Sequence, residues 1–188
     1  MHRIVAVFAI VLMFAALAAA QVPTSGNVFF GYSYYSTNLS SSDRVNTNGW
    51  EGSLEGKVAP FLGIVADFDG HYGSQTVPVP VQPPCTLPPC PIINTNGNFS
   101  EYNVVFGPRF SFSVRKFRPF AELEFGVGHI NANAAGSGTS FATVFGGGLD
   151  YRLMRIVAWR LQGDYVQTRF FGSTQNNARV STGIVLRF

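Results

Sequence analysis

Apolar and polar residues alternate one by one through eight stretches of this 188-residue chain. The last stretch, "RVSTGIVLRF", shows the pattern plainly. Val180, Thr182, Ile184, Leu186 and Phe188 share one face of a strand, and Arg179, Ser181, Gly183, Val185 and Arg187 share the other. Successive side chains on a strand point to opposite faces, so a period of two marks two unlike environments on either side of one sheet. The stretches are Asn27–Tyr35, Gly49–Val58, Phe61–His71, Ser100–Phe112, Arg118–Ile130, Ser140–Tyr151, Ile156–Arg169 and Asn177–Phe188. Each has the length of a tilted membrane-crossing strand, about 9–11 residues or slightly more.

The connections are graded. Those after the second, fourth and sixth stretches are short: Ala59–Pro60, "SVRKF" and "RLMR". Those after the first, third, fifth and seventh are longer and rich in Ser, Asn, Gly, Thr and Pro. Short turns at one end and long loops at the other are characteristic of transmembrane barrels. The first twenty residues read as a signal peptide, with Arg3, an apolar run, and small residues at Ala18 and Ala20. Cleavage is expected after Ala20, leaving residues 21–188 as the barrel domain. Hydrophobic residues make up 46% of the chain and charged residues only 12%, yet residues 21–188 contain no apolar run long enough for a spanning helix. A net charge of +3 is too small to argue for a nucleic-acid partner.

The faces say which solvent each side meets. Glu51, Glu55 and Lys57 alternate with Trp50, Leu54 and Val58; Asp67 and Asp69 with Ile64, Ala66 and Phe68; Arg109 with Phe106 and Phe110. Glu122 and Glu124 alternate with Leu123 and Phe125, Asp150 with Leu149, and Arg160 and Asp164 with Trp159, Leu161 and Tyr165. Eight of the ten acids thus lie opposite the large apolar residues, with Asp43 and Glu101 outside the pattern. A charge facing lipid near the midplane costs about 2–4 kcal/mol. The apolar faces are therefore expected to face lipid, and the charges to line the interior.

An eight-stranded barrel is only wide enough for side chains to fill. Lys57, Arg109, Arg160 and Arg187 are expected near the turn end, beside Glu122, Glu124 and Asp150. Glu51, Asp67, Asp69 and Arg179 are expected near the loop end, with Glu55 and Asp164 between. Mixed signs at similar heights favour a polar plug; a narrow ion pathway is the competing reading. Gly63, Gly107, Gly126, Gly128, Gly146 and Gly148 are expected to make room for long Arg and Glu side chains. Tyr34, Trp50, Tyr72, Tyr102, Phe141 and Tyr165 are expected to form a girdle at the loop end, and Phe112, Phe120, Tyr151, Trp159 and Phe188 one at the turn end. In the Pro-rich loop 73–98, expected to be extended, Cys85 and Cys90 read as a local disulfide. No cofactor, metal or catalytic residue is expected.

The opening "VFFGYSYYSTN", the "GWEGSLEGKVAPFLGIVADFDGHYG" hairpin and the terminal "IVLRF" resemble the small eight-stranded outer-membrane β-barrel family, the opacity-protein and OmpA/OmpX-like group. The resemblance implies an antiparallel up-and-down barrel crossing the bacterial outer membrane several times, with membrane lipid as its surroundings. It also implies that Ile184, Leu186 and Phe188 form the signal read by the barrel-assembly machinery. Nothing in the 188 residues corresponds to the peptidoglycan-binding domain of OmpA, so that anchoring role is not expected. The expected role is structural and surface-interacting, with loops offered to an extracellular ligand. A small-solute channel is the alternative. A lipid-modifying enzyme is a weaker one, because barrel lipid A deacylases use a His-x-Ser pair where this chain reads His129-Ile130-Asn131, and His71 at a strand end reads as interfacial. A soluble lipocalin-like binder would leave the loop asymmetry and the terminal Phe unexplained.

Overall fold

The computed structural model describes residues 25–38, 44–80, 92–133, 136–170 and 172–188. Its strands are β1 (Gly26–Thr37), β2 (Val45–Ala59), β3 (Leu62–Pro80), β4 (Ile92–Ser111), β5 (Phe117–Ala132), β6 (Gly136–Arg152), β7 (Val157–Thr168) and β8 (Gln175–Arg187). Each pairs antiparallel with the next, and β1 pairs with β8 to close the barrel. The closing ladder ends where Gly26 and Phe188 exchange backbone hydrogen bonds of 2.9 and 3.1 Å. Closure removes every sheet edge from lipid, where an unpaired amide costs several kcal/mol.

The alternation survives as an inside and an outside. Val28, Phe30, Leu54, Phe68, Val104, Phe106, Phe125, Phe145, Leu161 and Ile184 are exposed, while Arg109, Glu124, Arg160 and Arg179 are fully buried. Ile184, Leu186 and Phe188 all lie on the outer wall. Along β4 the outward aromatics Tyr102 and Phe112, the latter just past the strand end, bracket the apolar wall, as Phe141 and Tyr151 do in β6. These spacings match the nine to eleven residues that a tilted strand needs to cross a bilayer. Phe120 departs from the expected girdle. It is 7% exposed and points into the lumen, because it shares parity with Glu122 and Glu124.

The strands run further than the sequence suggested, chiefly at the loop end. The β3–β4 ladder continues to Pro80↔Ile92, so part of the Pro-rich stretch is strand. Beyond Tyr72 the β2 side of β3 has no ladder partner, and prolines at alternate positions, Pro78 and Pro80, put their missing donors on one side of the strand. The β5–β6 connection, expected to be long, is only residues 133–135. Residues 1–24, Asp43, Cys85 and Cys90 lie outside the described residues, so the signal peptide and the disulfide are not seen.

Two inward glycines serve the sheet itself. A Cβ on Gly107 would collide with the backbone carbonyl of Leu123, and one on Gly126 with that of Val104. The β4–β5 ladder keeps its register across this site, from Phe106↔Phe125 to Arg109↔Glu122, although Pro108 has no amide to donate. Gly107→Val is expected to lower stability by about 1–3 kcal/mol or block folding, since relief would require the backbones to part. Urea titration of the refolded barrel, followed by the heat-dependent gel shift, measures this.

Candidate functional site

The lumen fills from both ends with ion pairs. Near the turn end, Arg109 forks onto Glu122 with Nε and Nη2 each 2.5 Å from Oε2, and reaches Glu55 at 3.4 Å. Arg118 donates to Glu55 at 2.6 Å. Arg160 grips Asp150 through both carboxylate oxygens, at 2.7 and 3.2 Å. Lys57 lies 3.6 Å from Glu55, and Arg187 lies 3.5 Å from Asp150. Phe120 sits between two guanidiniums, with Arg109 and Arg160 each 4.6 Å from its ring centre, and Phe29 covers Arg160 at 4.9 Å. Stacked and bidentate contacts of this kind suit arginine, whose planar fork is more weakly hydrated than an ammonium.

Near the loop end, one guanidinium serves several acids. Arg179 contacts Asp164 at 2.8 Å, Asp69 at 2.6 Å, Asp67 at 3.2 Å and Glu51 at 3.4 Å. Gln162 links the two groups, its amide nitrogen lying 2.8 Å from Glu122, 3.0 Å from Glu51 and 3.0 Å from Asp164. His71 stands 3.1 Å from Asp69 and 2.9 Å from Ser33, under the ring of Tyr35 at 4.5 Å. Above it Tyr35 donates to Glu101 at 3.0 Å. Buried Phe99, Ile130 and Phe170 form an apolar cap. Asp69, His71 and Ser33 follow the order of a hydrolase relay, and all three are buried in the lumen.

All thirteen charged residues expected inside the barrel face the lumen or its rim. Their heights differ in part. Glu55, expected between the layers, belongs to the turn-end group because its side chain bends over Gly63, where a Cβ would stand 2.6 Å from Oε1. Asp164 joins Arg179 at the loop end, folding over Gly146. Glu124 is fully buried, and neither of its oxygens has a hydrogen-bond partner among the described residues. Glu101, which the sequence reading left outside the pattern, is interior; it shares parity with Asn103, which should have placed it. Arg118 was overlooked although it shares parity with Glu122. His71 is interior rather than interfacial, whereas His129 is on the outer wall, with Nδ1 2.9 Å from Thr139. Among the described residues no His, Cys, Asp and Glu are grouped as metal ligands.

The second feature is on the outside. Trp50, Tyr72 and Tyr102 mark the loop-end limit of the apolar wall, with Tyr102 donating to the Tyr72 hydroxyl at 3.1 Å. From this level upward the outward residues of β2 to β5 turn to amides and hydroxyls: Asn46, Asn48, Ser74, Asn98, Ser100 and Asn131, with Asn133 just beyond β5. Together they line a concavity of about 710 Å3 with no charged residue among its described lining.

Arg179→Met is expected to destabilise the barrel by about 3–5 kcal/mol, because it removes the guanidinium that four buried carboxylates share. Equilibrium urea unfolding in lipid vesicles, with Val180→Ala on the outer wall as a control, checks the size of the loss.

Solved structures share this architecture. Neisserial surface protein A superposes with a TM-score of 0.66 at 12% identity, the match covering 87% of this chain and 97% of that one. Ail, the attachment invasion locus protein of Yersinia pestis, solved with the heparin analogue sucrose octasulfate, gives 0.58 at 15%, covering 87% and 98%. No curated protein sequence matches the chain. The model of the outer membrane protein beta-barrel domain matches residues 6–188. With its closed eight-stranded sheet, inward charges and lipid-facing wall, the chain belongs to the outer membrane protein beta-barrel family of the bacterial outer membrane.

Proposed function

We propose that the chain is a surface-interaction protein whose lumen serves only as a scaffold and whose loop-end wall takes an uncharged saccharide. The observation that carries this reading is the concavity above Tyr72 and Tyr102. Amides and hydroxyls supply donors and acceptors there, and two phenol rings supply an edge for a sugar face. Asn48 already accepts a hydrogen bond from Tyr32, which holds its amide in place. Ail was solved with a sulfated sugar; the surface in this chain has no cation among its lining residues, which favours a neutral ligand.

The plugged lumen argues against a conducting role and against catalysis inside the barrel. Stacked guanidiniums close the turn end, and Phe99, Ile130 and Phe170 close the loop end. In biogenesis, Ile184, Leu186 and Phe188 would present the recognition strand to the assembly machinery.

The test is binding of the barrel in nanodiscs to immobilised neutral and sulfated oligosaccharides. The expected result is binding to neutral glycans that falls about tenfold or more in Tyr102→Ala, the loss typical of a central aromatic anchor. Binding confined to sulfated glycans, or unchanged in the variant, would overturn the reading. Steady single-channel conductance of the intact barrel in planar bilayers would replace it with the channel.

A further inference from the structure

The turn end carries a surface that neither the plug nor the loop-end wall explains. The β4–β5 turn reads Phe112-Ser113-Val114-Arg115-Lys116-Phe117, and the β6–β7 turn reads Arg152-Leu153-Met154-Arg155-Ile156. The two lie side by side. Arg152 donates its backbone amide to the Lys116 carbonyl at 2.8 Å and its Nη2 to the Arg115 carbonyl at 2.7 Å. Each turn is rigidly made: Val114 and Phe117 exchange backbone hydrogen bonds of 2.8 and 2.9 Å around Arg115, whose φ is 55°. Met154 and Leu153 both donate to the Val157 carbonyl.

The composition of this surface is one-sided. It holds four cations, Arg115, Lys116, Arg152 and Arg155, and no acid occurs between Phe112 and Ala121 or between Tyr151 and Gln162. Its apolar members are strongly exposed: Met154 at 70%, Phe112 at 64% and Ile156 at 60%. They are continuous with the lipid-facing wall through Phe110, Tyr151 and Trp159. The third turn, Pro60–Phe61 between β2 and β3, has no charge, so the feature belongs to one sector of the rim. Among the described residues none of the four cations is in an ion pair, and the inward acids Glu55 and Asp150 are held by Arg118, Arg109 and Arg160.

Apolar side chains that continue a lipid wall, topped by uncompensated cations, match the order of acyl chain and phosphodiester in a phospholipid. Short turns of such barrels lie on the periplasmic side. We infer that the paired β4–β5 and β6–β7 turns form a site for anionic phospholipid headgroups of the periplasmic leaflet. Arg115, Lys116, Arg152 and Arg155 contact the phosphates, while Phe112, Leu153, Met154 and Ile156 insert beside the acyl chains. This site is independent of any saccharide at the opposite end.

The two tryptophans make it measurable. Trp159 pairs with Tyr151 directly above the β6–β7 turn, and Trp50 stands at the loop end. In Trp50→Phe barrels reconstituted in phosphatidylcholine vesicles, Trp159 is quenched by added brominated phosphatidylglycerol or brominated phosphatidylcholine. The expected result is a preference for phosphatidylglycerol of about three- to tenfold at low salt, from cations close to the membrane surface. It should fall to parity when Arg115, Lys116, Arg152 and Arg155 are all replaced by Gln, in a variant that still shows the heat-dependent gel shift. Should that variant fail to fold, the unmodified turns give the same test, since raising salt must erase the preference. Equal quenching by the two lipids, a preference that survives both salt and substitution, or an equal preference at Trp50 in Trp159→Phe barrels would overturn the site.

Discussion

Charges withdrawn from water must find partners, and in this barrel that constraint falls most heavily on Arg179. Arg179, on β8, lies within ion-pair distance of Glu51, Asp67, Asp69 and Asp164, carried by β2, β3 and β7. A single guanidinium therefore ties four strands across the lumen. Arg109 and Arg160 do the same at the turn end, with Phe120 between them. Desolvating an ion costs several kcal/mol, and only good geometry with several partners offsets it. The wall is thus free to be apolar because the interior holds most of its charges in mutual contact. Closure of β1 on β8 then follows as much from the contents of the barrel as from its backbone.

The faces of the sheet were legible because parity is robust. One lipid-facing charge costs more than most local preferences of a residue, so alternation alone separated inside from outside. What failed was the extension of parity to strand ends. Glu101 shares a face with Asn103, and Phe120 with Glu122, yet the sequence pattern leaves Glu101 out and its aromatic ring alone assigns Phe120 to a girdle. His71 reads as interfacial in sequence because it stands at a strand end. Strand ends look like loops in sequence, but the β3 and β4 strands run on to Pro80 and from Ile92. Height within the lumen was less legible. Glu55 and Asp164 take levels set by Gly63 and Gly146, over which their side chains fold, and one-dimensional spacing does not record such bending. The loop-end concavity was not seen at all, since it is assembled from single Asn and Ser residues on four adjacent strands.

The lumen is also polarised along its axis. Lys57, Arg109, Arg118, Arg160 and Arg187 gather toward the turn end with Glu55, Glu122 and Asp150, while Arg179 alone faces the larger set of carboxylates toward the loops. The exposed cations of the β4–β5 and β6–β7 turns extend the positive half outward. The Arg179 group and the Arg109 group are joined by the hydrogen bonds of Gln162, an uncharged amide.

This arrangement separates what holds the barrel from what it presents. The plug uses the inward parity of every strand, so the outward parity is left to meet lipid in the middle and other chemistry at the two ends. On β4 that change comes within one outward step, from Tyr102 to Ser100, and on β6 it comes at Tyr151 before Leu153 and Arg155. The transition levels are fixed by hydrocarbon thickness, since an amide below them or a bare valine above them would meet the wrong solvent. A residue's role in this chain is therefore set by two coordinates, parity and height. A substitution on the outward face beyond the hydrocarbon levels should leave the fold intact, however much it alters what the ends can bind.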